Sequence, residues 1–346
     1  MTRKPVAVLT ADVHYNPTTL PLADAAMRQA ISRANDLGVP FIVAGDLHDT
    51  KALLRGECVN AMIETFKTCK TKAYVIVGNH CKINEKGEDH SLKFLQPYVR
   101  DVINSPTLTE IKINGGLLHM LPYHSDVEEL RKVLNSWVVL KGSTIIMHQG
   151  LNGVMSHYIQ DKSALNPEDV QDFRVISGHY HKAQDIKTGR PRKGAVGLFS
   201  YIGNPYSLNF GEANDGPKGF QVLYDDGLME QVPTNLRKHV VVETDVYKDS
   251  FWKSSPVQYL NPGDLLWLKV KGPQSELKKL NKREIGQRLL GHSNFKLDLI
   301  PTEAEALEEN AADAVLDTEV LDALISALPE SEEQKTYLKS LWKEIL

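Results

Sequence analysis

Cysteine is scarce: Cys58, Cys69 and Cys81 are the only three in 346 residues, and no two have a CxxC spacing. That argues for a reducing compartment and against a structural zinc site. No apolar run approaches the ~20 residues that a membrane span needs. The short run Val6–Leu9 is too brief for a signal-peptide core and reads as a buried strand. Internal repeats and low-complexity tracts are missing too.

Net charge is also small, at −4, which argues against a general nucleic-acid binder, but the average is misleading. Residues 301–346 hold twelve Asp or Glu against three Lys, so residues 1–300 carry +5. A mildly basic body with an acidic tail is compatible with a polyanionic substrate. At 346 residues the chain is long enough for one large domain and a smaller one.

The first half alternates β-branched runs with stretches of helical period. Val6–Leu9, Phe41–Ala44 and Ala73–Val77 read as buried strands, separated by helices over roughly 22–37 and 53–70. This order predicts parallel strands joined by crossovers. Further runs at 117–121, 144–147, 173–177 and 195–202 suggest a second, mixed sheet. Near Pro233 the texture shifts to a smaller α+β unit with a basic stretch: Lys269, Lys271, Lys278, Lys279, Lys282, Arg283 and Arg288. A solvated face is the plainer reading of that stretch, and a hold on DNA the functional one. From Thr302 the pattern is helical and acidic, with apolar stripes Leu316–Leu328 and Tyr337–Ile345. The expected division is therefore 1–234, 235–300 and 301–346.

Polar clusters follow the predicted strands: Asp12-Val13-His14, Gly45-Asp46-Leu47-His48-Asp49, Gly78-Asn79-His80, His148-Gln149-Gly150 and Gly178-His179-Tyr180-His181. In α/β sheets ligands bind beyond the carboxyl ends of strands, so all five clusters are expected on one sheet edge. Carboxylate, imidazole and amide donors without thiolate suit Mn(II), Fe(II) or Zn(II). An Asp-x-His pair alone is commonplace, and His148 alone would read as a core histidine. It is the ordered set of five that carries meaning.

In these five motifs the chain resembles the calcineurin-like metallophosphoesterases. It resembles in particular their DNA-repair branch, the SbcD-type nucleases and the related recombination nuclease subunits of tailed phages. Tyr201–Glu212, followed by Lys218-Gly219-Phe220, resembles the segment that closes the nuclease domain in that branch, and Leu121-Pro122-Tyr123 resembles its counterpart before the fourth motif. The resemblance covers residues 1 to about 224; beyond them it rests on layout. It implies a four-layer sandwich of two mixed β-sheets flanked by helices, with a small α+β capping domain and a helical tail.

The resemblance further implies that Asp12, His14 and His181 hold one divalent metal. Asn79, His148 and His179 would hold a second, and Asp46 would bridge the two. Mn(II) is the expected ion, with Mg(II), Fe(II) or Zn(II) as alternatives. The pair would clamp the oxygens of an in-line displacement at a phosphodiester. His80 would protonate the leaving oxygen, with Asp49 orienting its ring. DNA is the implied substrate, an SbcC-type ABC ATPase the implied partner, and a homodimer is possible. The expected location is the cytoplasm, that of the host if the chain is phage-encoded. Two rival readings keep the motifs: a small-molecule or nucleotide phosphodiesterase or phosphatase, and a non-catalytic scaffold that binds DNA ends.

Cys81 stands where the family often has an acidic residue, and it is expected to pack rather than react. His48 replaces an apolar or aromatic residue and is either an extra phosphate contact or a neighbour of the ligands. His124 is a candidate for lining the cleft. Lys187, Arg190, Arg192 and Lys193 lie in a Gly/Pro-containing stretch where they could contact backbone phosphate or form a solvated loop.

Overall fold

The computed structural model describes residues 3–51, 53–84, 89–114, 116–136, 143–154, 163–188, 197–246, 260–261, 263–280, 285, 295–302, 325 and 335–336. The chain opens as its periodicity predicts: β1 (Pro5–Thr10), α1 (Leu20–Leu37), β2 (Phe41–Val43), α2 (Gly56–Phe66) and β3 (Ala73–Ile76). In α1 the buried residues Ala23, Ala26, Met27, Ala30, Ile31 and Ala34 fall at helical spacing on one face. Gly38 ends the helix at φ 63°, a left-handed value that glycine adopts without strain.

β4 (Asp101–Ile103) joins β1, β2 and β3 in a parallel run. The second sheet is built from β5 (Thr107–Ile113), β6 (Gly116–Met120), β7 (Thr144–His148), β8 (Arg174–Gly178), β9 (Gln184–Lys187) and β10 (Leu198–Tyr201). Helix α3 (Val127–Ser136) connects β6 to β7. The strand order is β5-β6-β7-β8-β10-β9, with antiparallel pairs at both edges. β11 (Gly219–Tyr224) and β12 (Met229–Pro233) then return to the first sheet, which reads β12-β11-β1-β2-β3-β4, with β11 antiparallel to β1.

Strand alternation divides the apolar residues into three cores. In β1, Ala7 and Leu9 face Ile146, Ile176 and Met120 of the second sheet, while Val8 faces the α1 and α2 side with Met27, Ile31 and Met62. Beyond the second sheet, Leu130 and Leu134 of α3 pack on Ile145, Val175 and Phe199. The layers are thus helix, sheet, sheet, helix, the architecture that the resemblance implies. No helix among the described residues is long and apolar enough to cross a membrane.

The chain divides into two compact units, Met1–Val240 with Gly263–Leu265, and Val241–Pro262 with Leu266–Leu346. A third sheet, ordered β13 (His239–Asp245), β14 (Leu265–Gly272) and β15 (Phe295–Pro301), lies mostly in the second. Within it Lys269 and Lys271 pair with Glu243 at 3.1 and 2.9 Å, and Lys296 lies over the Trp267 ring. Part of the basic stretch is therefore neutralised locally. Lys282, Arg283 and Arg288 lie outside the described residues, as does nearly all of the acidic tail with its two expected helices.

Candidate metal centre

Five strand ends deliver their polar clusters to one place. β1, β2 and β3 supply Asp12, His14, Asp46, Asn79 and His80 from the first sheet, and β7 and β8 supply His148, His179 and His181 from the second. The turns are strained. Among the described residues six non-glycine positions have positive φ, and four of them are Asp12, His14, Asp46 and His179. Such left-handed values are unfavourable for aspartate and histidine and recur where a site over-determines the backbone. Glycine is required beside them: a Cβ on Gly78 would sit 2.2 Å from Asp46 Oδ1, and one on Gly45 2.0 Å from His148 Nδ1.

The side chains form a continuous donor network. Asp12 accepts the His179 backbone N–H on both oxygens, at 3.0 and 3.1 Å, tying one sheet to the other. His14 Nε2 faces His181 Nε2 at 3.2 Å. Asn79 Oδ1 lies 2.9 Å from His148 Nε2 and 3.1 Å from His179 Nδ1. Asp46 sits between these groups, its Oδ2 at 3.1 Å from His148 Nε2 and its Oδ1 accepting the His80 N–H at 2.9 Å. Three overlapping sets bring their ligand atoms within 4.8 Å of one another: Asp12, His14 and His181; His14, Asp46 and His80; Asp12, Asp46 and His148.

The donor set fits divalent ions. In His148 and His181 the outward nitrogen is already committed: Nδ1 of His148 donates to the Ala44 carbonyl, and Nδ1 of His181 to Glu212, each at 2.8 Å. That turns Nε2 of each ring inward, toward the other donors of the site. Two facing imidazole nitrogens at 3.2 Å cannot both be acceptors without a proton or a cation between them. Nitrogens bound to one ion at ~2.1 Å, at right angles or a little wider, fall near that separation.

Charge follows the same plan. Burial opposes ionisation of Asp46, but the imidazoles of His148, His80 and His14 overcome it and hold the carboxyl below its usual range. Burial likewise opposes the His148 cation, and Asp46 reverses this and pushes the ring up. The core of the site is sealed, with Asp12, Asp46 and His148 at most 2% exposed. The side chains of His80 and His181 remain 35% and 32% exposed, which leaves one open side.

Sequence reasoning gave no role to Glu212, although it lies in the closing segment. It is buried, and its Oε2 accepts from Asn204 Nδ2 and the Leu208 N–H at 2.9 and 3.0 Å, with Lys218 Nζ at 3.2 Å. Burial resists its ionisation, yet the bonds from His181 and these neighbours hold it down at about 2. Tyr206, from the same segment, donates to the Val13 carbonyl at 2.7 Å and pins the loop between Asp12 and His14. The only signal in the sequence is the resemblance of that segment to the one that closes the nuclease domain in the family.

Several expected residues have other surroundings. Asp49 meets His80 through its main-chain carbonyl, 2.5 Å from Nδ1, while its carboxylate lies 3.4 Å from His14 Nδ1. It is the carbonyl, therefore, that orients the His80 ring. His48 is 2% exposed, bonds Ser91 through Nε2, and is pushed down to about 4 by burial. That is the setting of a neighbour of the ligands, not of a phosphate contact. Cys81 is fully buried, its thiol pushed up to about 12 by desolvation, as suits a packing residue.

His124 is held by Gln149, which accepts its N–H at 3.2 Å. Next to it Tyr123 stacks on His179, with ring centroids 6.0 Å apart, and Lys82 Nζ lies 5.4 Å from the Tyr123 ring centroid. Lys82, which sequence reasoning passed over, is half-buried and its amine is pushed down by desolvation. Lys187 stands in strand β9, not in a loop. It pairs with Leu198, at the end of β10 away from Tyr201 and the metal-site edge. Arg190, Arg192 and Lys193 lie outside the described residues.

No protein-family model and no curated protein matches the chain. Among solved structures it is similar to a 5'-nucleotidase precursor from Thermus thermophilus, at 10% identity and a TM-score of 0.35. The match covers 58% of this chain and 48% of that one, so the chain spans about half the length of that protein.

Proposed function

We propose that the chain is a metal-dependent phosphodiesterase acting on DNA, a Mn(II)-dependent nuclease that works with an SbcC-type ABC ATPase. The supporting observation is the convergence of five strand ends on one set of carboxylate, amide and imidazole donors whose outward nitrogens are already bonded. Asp12, His14 and His181 would hold one ion, Asn79, His148 and His179 the other, with Asp46 between. Bound divalent ions supply positive charge against the phosphodiester and lower the pKa of water.

The chain's own residues do the rest. Asp46 and His148 are sealed and mutually bonded, so they hold a fixed geometry when substrate arrives. His80 commits Nδ1 to the Asp49 carbonyl and turns Nε2 toward the cleft, 4.0 Å from Asp46 Oδ2. As an imidazolium it can give the Nε2 proton to the leaving sugar oxygen. The partly exposed His80 and His181 mark the side from which a strand approaches.

The test is digestion of end-labelled duplex and single-stranded DNA with Mn(II), with and without a co-encoded ATPase, alongside a small aryl phosphodiester. DNA cleavage that chelator abolishes and Mn(II) restores is expected. Turnover of the aryl ester with intact DNA would transfer the reading to a small-molecule phosphodiesterase.

A further inference from the structure

A cavity lies beside the segment that carries Glu212. Its volume is about 100 Å³, and Tyr206, Lys218, Asn235, Arg237, Lys238 and His239 are among its lining. At ~30 Å³ per water it has room for about three waters, or one compact anion. None of these residues is a candidate metal ligand.

Arg237 is the unexplained feature. Its Nε is sealed from solvent and has no acceptor among the described residues. A buried donor left unmade is unfavourable, more so when charged. Glu212, the one carboxylate of the lining, cannot answer it: Oε1 is taken by His181, and Oε2 by Asn204, Leu208 and Lys218. Burial and the Arg237 charge hold the His239 ring below its ordinary value, and its Nδ1 lies 3.0 Å from Ser207 Oγ. Lys218, Arg237 and Lys238 against Glu212 leave the lining at a formal +2.

We infer that this cavity binds a phosphate group on the Arg237 guanidinium, with Lys238 at its rim, independently of the metal centre. The planar fork of arginine matches paired phosphate oxygens, and the cavity has room for one such group. The phosphate is either free inorganic phosphate or one member of a nucleic-acid backbone. Tyr206 and Glu212, which line the cavity, also hold the Asp12–His14 loop and His181. An occupant therefore borders the supports of the metal ligands.

The experiment is calorimetric titration of inorganic phosphate into the full chain after chelation, so that the result does not depend on the nuclease reading. One phosphate per chain is expected, with binding weakened at least about tenfold by Arg237→Met. Arg237→Lys keeps the charge but loses the fork, and should weaken binding several-fold; it also serves if Arg237→Met melts at assay temperature. A short oligothymidylate without terminal phosphates separates the sources. If it displaces phosphate from the wild-type chain and binds Arg237→Met more weakly, the source is a strand; if it does neither, it is free phosphate. No phosphate binding by the wild-type chain, or binding by both variants equal to that of the wild-type chain, overturns the inference.

Discussion

His181 Nδ1 and Glu212 Oε1 lie 2.8 Å apart, and the partner oxygen of that carboxylate is tied to three further donors. A ligand imidazole is thus aimed by a residue 31 positions later in the chain. Glu212→Gln keeps the shape and removes the charge. It should lower Mn(II) affinity by about 10- to 100-fold, read by calorimetry on metal-free protein. An unchanged affinity would strip Glu212 of its orienting role.

His80→Gln separates proton delivery from metal holding. Turnover should fall by about 10²- to 10⁴-fold while Mn(II) binding persists. Asp46→Asn, by contrast, should lose both. Single-turnover cleavage with parallel metal analysis distinguishes them, and full activity in either variant removes its assigned role.

Lys82 is a half-buried amine beside Tyr123 and near His179. If it meets a backbone phosphate, Lys82→Met should weaken DNA binding and reduce the salt slope by about one. Equal slopes for the variant and the wild-type chain would assign Lys82 to packing alone.

Gly78 and Gly38 make a matched pair. A methyl group at Gly78 meets Asp46 Oδ1 at 2.2 Å, whereas one at Gly38 meets nothing within 4 Å and is opposed only by φ +63°. Gly38→Ala should cost about 1 kcal/mol and keep metal binding. Gly78→Ala should displace Asp46 and lose metal binding as well as stability. Urea denaturation with metal titration reads both.

His48 provides a pH test. Its folded value, about 4, lies below the ordinary imidazole value of 6.5, so the unfolded chain binds more protons between the two. Its contribution to stability is present above pH 6.5 and lost as pH falls toward 4. His148, pushed the other way, opposes this at higher pH. In chelated protein, His48→Gln should flatten the fall in melting temperature between pH 6.5 and 4.

The first three strands and their polar ends were legible because each is a β-branched run of local character, broken by glycine and a ligand type. β7 and β8 shared that signature. Glu212 and Lys82 were not legible, because their significance depends on partners distant in sequence. The carbonyl of Asp49 took the role expected of its carboxylate, a distinction that residue identity cannot carry. Lys187 was misread because a short edge strand of Gln184–Lys187, exposed at alternate positions, has little apolar pattern. The left-handed backbone at Asp12, His14, Asp46 and His179 left no compositional trace, since neither residue type demands it.

The Asp12–His179 bond joins two sheets whose facing surfaces are otherwise largely apolar. Any ion seated there would act as a rivet at one end of a sandwich whose middle is held by grease. Removing it should therefore loosen the strand tips of β1, β2, β7 and β8 first, as local breathing in hydrogen exchange, long before the layers part.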